Sequence, residues 1–153
     1  MELQERLSKM QTALNTQDNR ITSYPLFCVY EKRPMVTHED YDHDEISWFD
    51  HEECCDIDSE SDKYRRLELL HEDCREYNPN RYSRAAIKYI DKFVTACFTE
   101  DGADEYLAVN KHNLHKPFIY VMSLYRNAEM IQLRDALMSG NLTATTTVKE
   151  QEK

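Results

Sequence analysis

Two glycines and four prolines are all that this 153-residue chain has for making turns. Sandwiches and barrels need many tight turns, most of them resting on residues that accept positive φ. The scarcity therefore points away from an all-β fold and toward helices joined to a small sheet. The length suits one domain with a real core.

Periodicity gives the elements. ELQERLSKMQTALN (2–15) spaces Leu3, Leu7, Met10 and Leu14 along one narrow stripe, which predicts an amphipathic helix. That helix can pack on the domain or pair with a copy of itself, giving a homo-oligomer through residues 2–15. After a polar connector ending in Pro25, LFCVYEKR (26–33) predicts a strand that Pro34 ends. EISWFD (45–50) predicts a second strand, antiparallel to the first across the intervening loop. SESDKYRRLELLHEDCRE (59–76) predicts a helix capped by Ser59 or Asp62, and RAAIKYIDKFVTACF (84–98) has the strongest helical spacing of all. Thr99 is placed to cap a helix over EDGADEYLAVN. FIYVMS (118–123), apolar on both faces, predicts a buried central strand. Ser123 is placed to cap a last helix through Met130, Leu133 and Leu137 that stops at Gly140. The expected fold class is α+β: a small, mainly antiparallel sheet of about three strands covered by four to five helices. It occupies residues 1–140 as a single domain, with 141–153 a disordered polar tail.

Charge is the second constraint. The net charge is −10, and residues 38–62 hold twelve acids and no Lys or Arg, leaving +2 for the rest. A local field of one sign steers oppositely charged partners and repels nucleic acid. Asp40, Asp42, Asp44 and Glu45 alternate along the stretch, with Tyr41, Trp48 and Phe49 as aromatic anchors of the type that carry interface energy. These seven residues form a candidate contact for a partner protein with a basic surface, as a nucleic-acid mimic would present. Direct nucleic-acid binding fits the charge poorly, although Arg65, Arg66, Arg75, Arg81 and Arg84 could gather into a basic patch.

Metal binding is a weaker reading of the same stretch. His38, His43, His51, Cys54 and Cys55 are ligand types, but zinc favours spaced pairs over adjacent cysteines. Asp40, Asp42 and Asp44 have the alternation of a calcium loop without its glycine or closing glutamate. No metal and no cofactor are expected. A second cluster, Asn110, His112, Asn113, Arg126, Asn127 and Glu129, flanks FIYVMS and is the candidate for a small-molecule or nucleotide pocket, whose strand–helix junction suits a phosphate or carboxylate. Phosphate loops, dinucleotide fingerprints and nucleophile elbows are missing from the sequence, so an enzyme is not the favoured reading.

The five cysteines are irregularly spaced without a CxxC. Together with a charged MELQER opening and no long apolar run, they lead us to expect reduced thiols, no membrane segment and a cytoplasmic setting.

Three stretches carry a resemblance: TQDNRITSYPLFCVYEKR (16–33), EISWFD (45–50) and FVTACFTEDGADEYLAVNKHNLHKPFIYVMSLYRNAEM (93–130). Together they cover about two thirds of the chain and resemble a family of small accessory proteins encoded by bacteriophages and prophages. Lys111 stands where similar proteins often have Gly. The resemblance implies an accessory protein working in the bacterial cytoplasm and supplies no mechanism; the segregated charge makes a host defence or nucleic-acid-handling factor with a basic groove the expected target, to be inhibited or redirected.

Overall fold

The computed structural model describes residues 3–141, so the predicted tail from 142 onward lies outside the described residues. Four α-helices run over Leu3–Thr16 (α1), Asp62–Glu72 (α2), Glu100–Asn110 (α3) and Ala128–Ser139 (α4). Five strands run over Pro25–Thr37 (β1), Glu45–Asp50 (β2), Cys55–Asp56 (β3), Tyr82–Cys97 (β4) and Phe118–Ser123 (β5). The sheet order is β3-β2-β4-β1-β5. The α+β class holds. The sheet has five strands, where about three were expected.

Of the two further strands, β3 follows β2 directly and β4 comes from a segment expected to be helical. Residues 84–98, expected as the core helix, form most of β4. Ile87, Ile90, Val94 and Thr95 are β-branched and Tyr89 and Phe93 aromatic, a composition that suits a pleated surface as well as a helix face. Pairing decides between them, because β2 aligns on β4 from Glu45↔Ile87 to Asp50↔Tyr82. β2 therefore pairs with β4 and β3, not with β1. β1 also runs through Pro34 to Thr37, in a stretch where Arg33–Val36 are exposed and a lost donor costs little. β5 is the edge strand, not a central one.

The turns explain how two glycines suffice. Arg20, Cys54, Cys74, Lys116 and Arg126 adopt φ of 57°, 52°, 51°, 44° and 69°. Left-handed residues without glycine are uncommon, so the composition argument undercounted the turns available. Gly140, at φ 72°, closes α4 as expected.

The chain divides into two compact units. The first joins residues up to Glu31 with those from Lys92, and the second is Lys32–Asp91. In the first, Phe27 and Val29 of β1 pack with Ala103 of α3, and Ile119, Val121, Val94 and Leu107 close around them. Thr99 caps α3 as predicted, its Oγ1 accepting the Gly102 N–H at 3.1 Å. α1 packs on α4, where Gln11 Nε2 and Asn15 Nδ2 donate to the Met138 carbonyl at 3.0 and 3.1 Å. The cap of α4 is Asn127, not Ser123. Arg134 of α4 is 3% exposed, with Asn19 Oδ1 at 3.5 Å and Asp135 at 3.9 Å from its Nη atoms.

The second unit closes around Trp48, Ile57 and Leu67, with Ile46, Tyr64, Tyr77 and Tyr82 against them. Ser61 caps α2, one residue before the predicted Asp62 and two after Ser59.

Candidate partner-binding surface

The acidic stretch spans the β1–β2 loop, β2, β3 and the turn into α2, all within the second unit. That unit carries 17 acidic and nine basic residues, a net −8, against −2 for the first. The sequence signal is thus a property of one compact body.

Its centre is structural. Trp48 is fully buried, its Nε1 donating to Glu68 Oε1 at 2.5 Å and its ring meeting Tyr77 edge-on at 4.9 Å. It cannot serve as an exposed anchor, which corrects its place in the predicted contact. Arg84, beneath the same ring, donates to both oxygens of Glu68 at 2.9 and 3.2 Å and pairs with Glu39. Arg84 holds the Glu39 and Glu68 carboxyls below the ordinary glutamate range, in both cases overcoming the opposing effect of burial.

Asp50 makes a second network. Its carboxylate is 0% exposed, and Lys63 lies at 2.5 Å and Arg81 at 3.3 Å. Burial pushes this carboxyl upward, but Lys63, the backbone N–H groups of Glu53 and Glu52, and Arg81 outweigh it and hold the group well below the usual carboxylate range. A buried carboxylate so surrounded is a fold element rather than a docking group.

The predicted contact residues divide accordingly. Asp42 and Asp44 share Lys88 at 2.7 and 3.4 Å, and Asp44 also accepts the Tyr89 N–H at 2.7 Å. Glu45 accepts the Tyr89 hydroxyl at 2.7 Å. Phe49 is half-buried beside the His51 ring. Tyr41 is 70% exposed, and Asp40 next to it has His38 at 3.3 Å and, among the described residues, no Lys or Arg partner. Asp56, Asp58 and Glu60 are also exposed without a Lys or Arg partner among the described residues, and sequence reasoning passed over them. Seven of the twelve acids have a Lys or Arg partner. Among the described residues Asp40, Glu45, Asp56, Asp58 and Glu60 have no Lys or Arg partner. Six of the seven paired acids find their cations in distant Lys63, Arg81, Arg84 and Lys88, and only Asp62 pairs locally, with Arg65, so the sequence around each acid does not tell the paired from the unpaired.

The five candidate metal ligands are dispersed. His43 Nδ1 lies 2.9 Å from the Tyr41 carbonyl, His51 Nε2 lies 3.1 Å from Ser83 Oγ, and Cys54 Sγ donates to the His51 carbonyl at 3.5 Å. Among the described residues, three or more His, Cys, Asp or Glu side chains nowhere gather closely enough to hold a metal ion. Lys88 sits on two of the three alternating aspartates, where a calcium ion would have to bind. Cys28 and Cys97 are thiols pushed upward by burial, the opposite of what a nucleophile needs.

The second cluster does not converge. His112 and Asn113 precede β5 while Arg126, Asn127 and Glu129 follow it, so a strand of about 20 Å separates them. Their roles are local: Asn110 Nδ2 donates to the Tyr106 carbonyl at 2.9 Å, Asn127 caps α4, and Arg126 lies 5.3 Å from the centroid of the Tyr125 ring. The arginine run is also mostly occupied, because Arg65, Arg75, Arg81 and Arg84 all have carboxylate partners. A cleft of about 530 Å³ beside α2, lined by Arg66, Leu67, Leu70, Tyr77 and Tyr82, was not foreseen.

Among the described residues no helix is long and apolar enough to cross a membrane. Comparison with family models, curated proteins and solved structures finds no match.

Proposed function

We propose that this is a phage-encoded accessory protein that acts in the host cytoplasm by binding a basic surface of a host protein and inhibiting or redirecting it. The observation that carries the reading is the confinement of charge: a net −8 sits on one 60-residue unit, and five of the twelve acids in its 38–62 stretch have no Lys or Arg partner among the described residues. Such a field accelerates encounter with a basic surface and is screened by salt. The contact is redrawn from the predicted one. Tyr41 with Asp40 remains, Asp56, Asp58 and Glu60 join, and Trp48 leaves.

The test is a charge-neutral variant, Asp40→Asn with Asp56→Asn, Asp58→Asn and Glu60→Gln. None of these side chains holds a Lys or Arg in the fold, so the variant should melt like the parent. Affinity capture from host lysate should retain a specific host protein on the parent and lose it on the variant, by about tenfold or more. Equal retention by both would refute the reading. Neutralising Asp42 and Asp44 would be a poorer test, because it frees Lys88 and the Tyr89 N–H as well.

A further inference from the structure

The two edges of the sheet are built differently. The β3 edge is two residues long and lies in the acidic stretch, so it offers little for another strand to pair with. The β5 edge is six residues of FIYVMS, with no charge, no proline and no glycine. Its inner side pairs with β1 from Pro25↔Ser123 to Tyr30↔Phe118. Among the described residues it ends the sheet order, and no further strand there bonds the alternate backbone N–H and C=O groups on its outer side. Proteins usually blunt such an edge with charges, proline or a bulge. Here none of these is present.

The side chains beside that edge are apolar and exposed. Tyr120 is 58% exposed, Phe93 52% and Met122 43%. Tyr30 ties them into one patch: its ring stacks on Phe118 at 5.8 Å, meets Phe93 and Tyr120 edge-on at 5.7 and 6.3 Å, and its hydroxyl lies 3.7 Å from Met122 Sδ. Open aromatic surface continuous with a free edge is a docking surface.

Charge selects the occupant. A basic partner would find no carboxylate in FIYVMS, and nucleic acid would find no Lys or Arg there. A second copy of the same strand, laid antiparallel, meets an identical uncharged sequence and satisfies both rows of backbone groups about a two-fold axis. The unit that carries this edge has a net charge of only −2, so two copies meet there with little repulsion. We infer that the protein forms a symmetric dimer by antiparallel pairing of β5 with β5, joining the Tyr30–Phe93–Tyr120 patches of the two copies.

Sedimentation equilibrium of the full chain tests this. The expected mass is twice the 18.2 kDa of the chain. Tyr120→Lys with Met122→Lys places charge on the exposed face of the edge and should return the mass to that of one chain with little change in the thermal melt. Hydrogen exchange on the unaltered protein is the companion measurement, because it does not depend on the variant folding. The amides of 118–123 should become more protected as concentration rises, while those of β3 should not. A parent that stays at one chain mass with concentration-independent exchange at 118–123 overturns the inference. A dimer that survives both lysines and dissociates on Leu3→Lys in α1 overturns it as well.

Discussion

The two units reach stability by different means. Around Phe27, Val29 and Ala103 the first unit has an apolar core; its Lys9–Glu105 and Arg20–Glu100 pairs lie at the surface, and the charges it buries, Glu31 beside Lys92 at 3.8 Å and Arg134, lie outside that cluster. The second centres on Trp48, but its surroundings include the Glu39–Arg84–Glu68 chain and the fully buried Asp50 with Lys63 and Arg81. A dense acidic sequence therefore does two jobs in one body. Some carboxylates hold the fold together through distant cations, and the remainder face solvent. Counting acids along the chain cannot separate the two groups, whereas the ion pairs do.

The comparison can be strained in order of effect. Trp48→Ala removes the largest side chain of the second core and the donor to Glu68, and should cost about 3–5 kcal/mol in urea denaturation. Arg84→Met is next. It leaves Glu39 and Glu68 without their cation and should cost about 3 kcal/mol, since stripping one partner from a largely buried pair strands the other charge. Gly140→Ala, in the first unit, forces a left-handed φ and brings Cβ to 2.8 Å from Gln11 Nε2, for roughly 1 kcal/mol by thermal melt. Lys88→Ala breaks only solvent-screened pairs with Asp42 and Asp44 and should cost less than about 1 kcal/mol.

Acid should separate the units. Glu39, Asp50 and Glu68 have folded-state values below their unfolded ones, so each adds stability that is fully present above the ordinary carboxylate range. That stability is lost as pH falls from the unfolded value down through the folded one, because the unfolded chain takes up the proton first. All three groups lie in the second unit. Hydrogen exchange at falling pH should show β2 and α2 losing protection before α3 does. Simultaneous loss would mean that these three carboxylates add nothing particular to their unit.

Local signals were legible wherever a residue acts through its own neighbours. The Thr99 cap, the Gly140 stop, the EISWFD strand and the packing stripe of α1 were all readable from a few consecutive letters. Signals that depend on distant partners were not. RAAIKYIDKFVTACF satisfies a helical period and strand composition equally, and only the alignment of β2 along it decides. Trp48 among acids looked like an exposed anchor because Glu68 and Arg84, which enclose it, lie 20 and 36 residues away in the chain. The cluster around His112 and Arg126 was readable as the two flanks of one strand, and the length of that strand holds them apart.

The most direct measurement is the salt dependence of capture by the parent protein. Bound to resin and exposed to host lysate, it should retain a specific host protein at low salt and release it progressively as salt rises, with the Asp40, Asp56, Asp58 and Glu60 neutral variant retaining little at any salt. A host protein held equally at low and high salt, or held equally by parent and variant, would contradict an electrostatic contact and reduce the free acids of the second unit to a solvated rim.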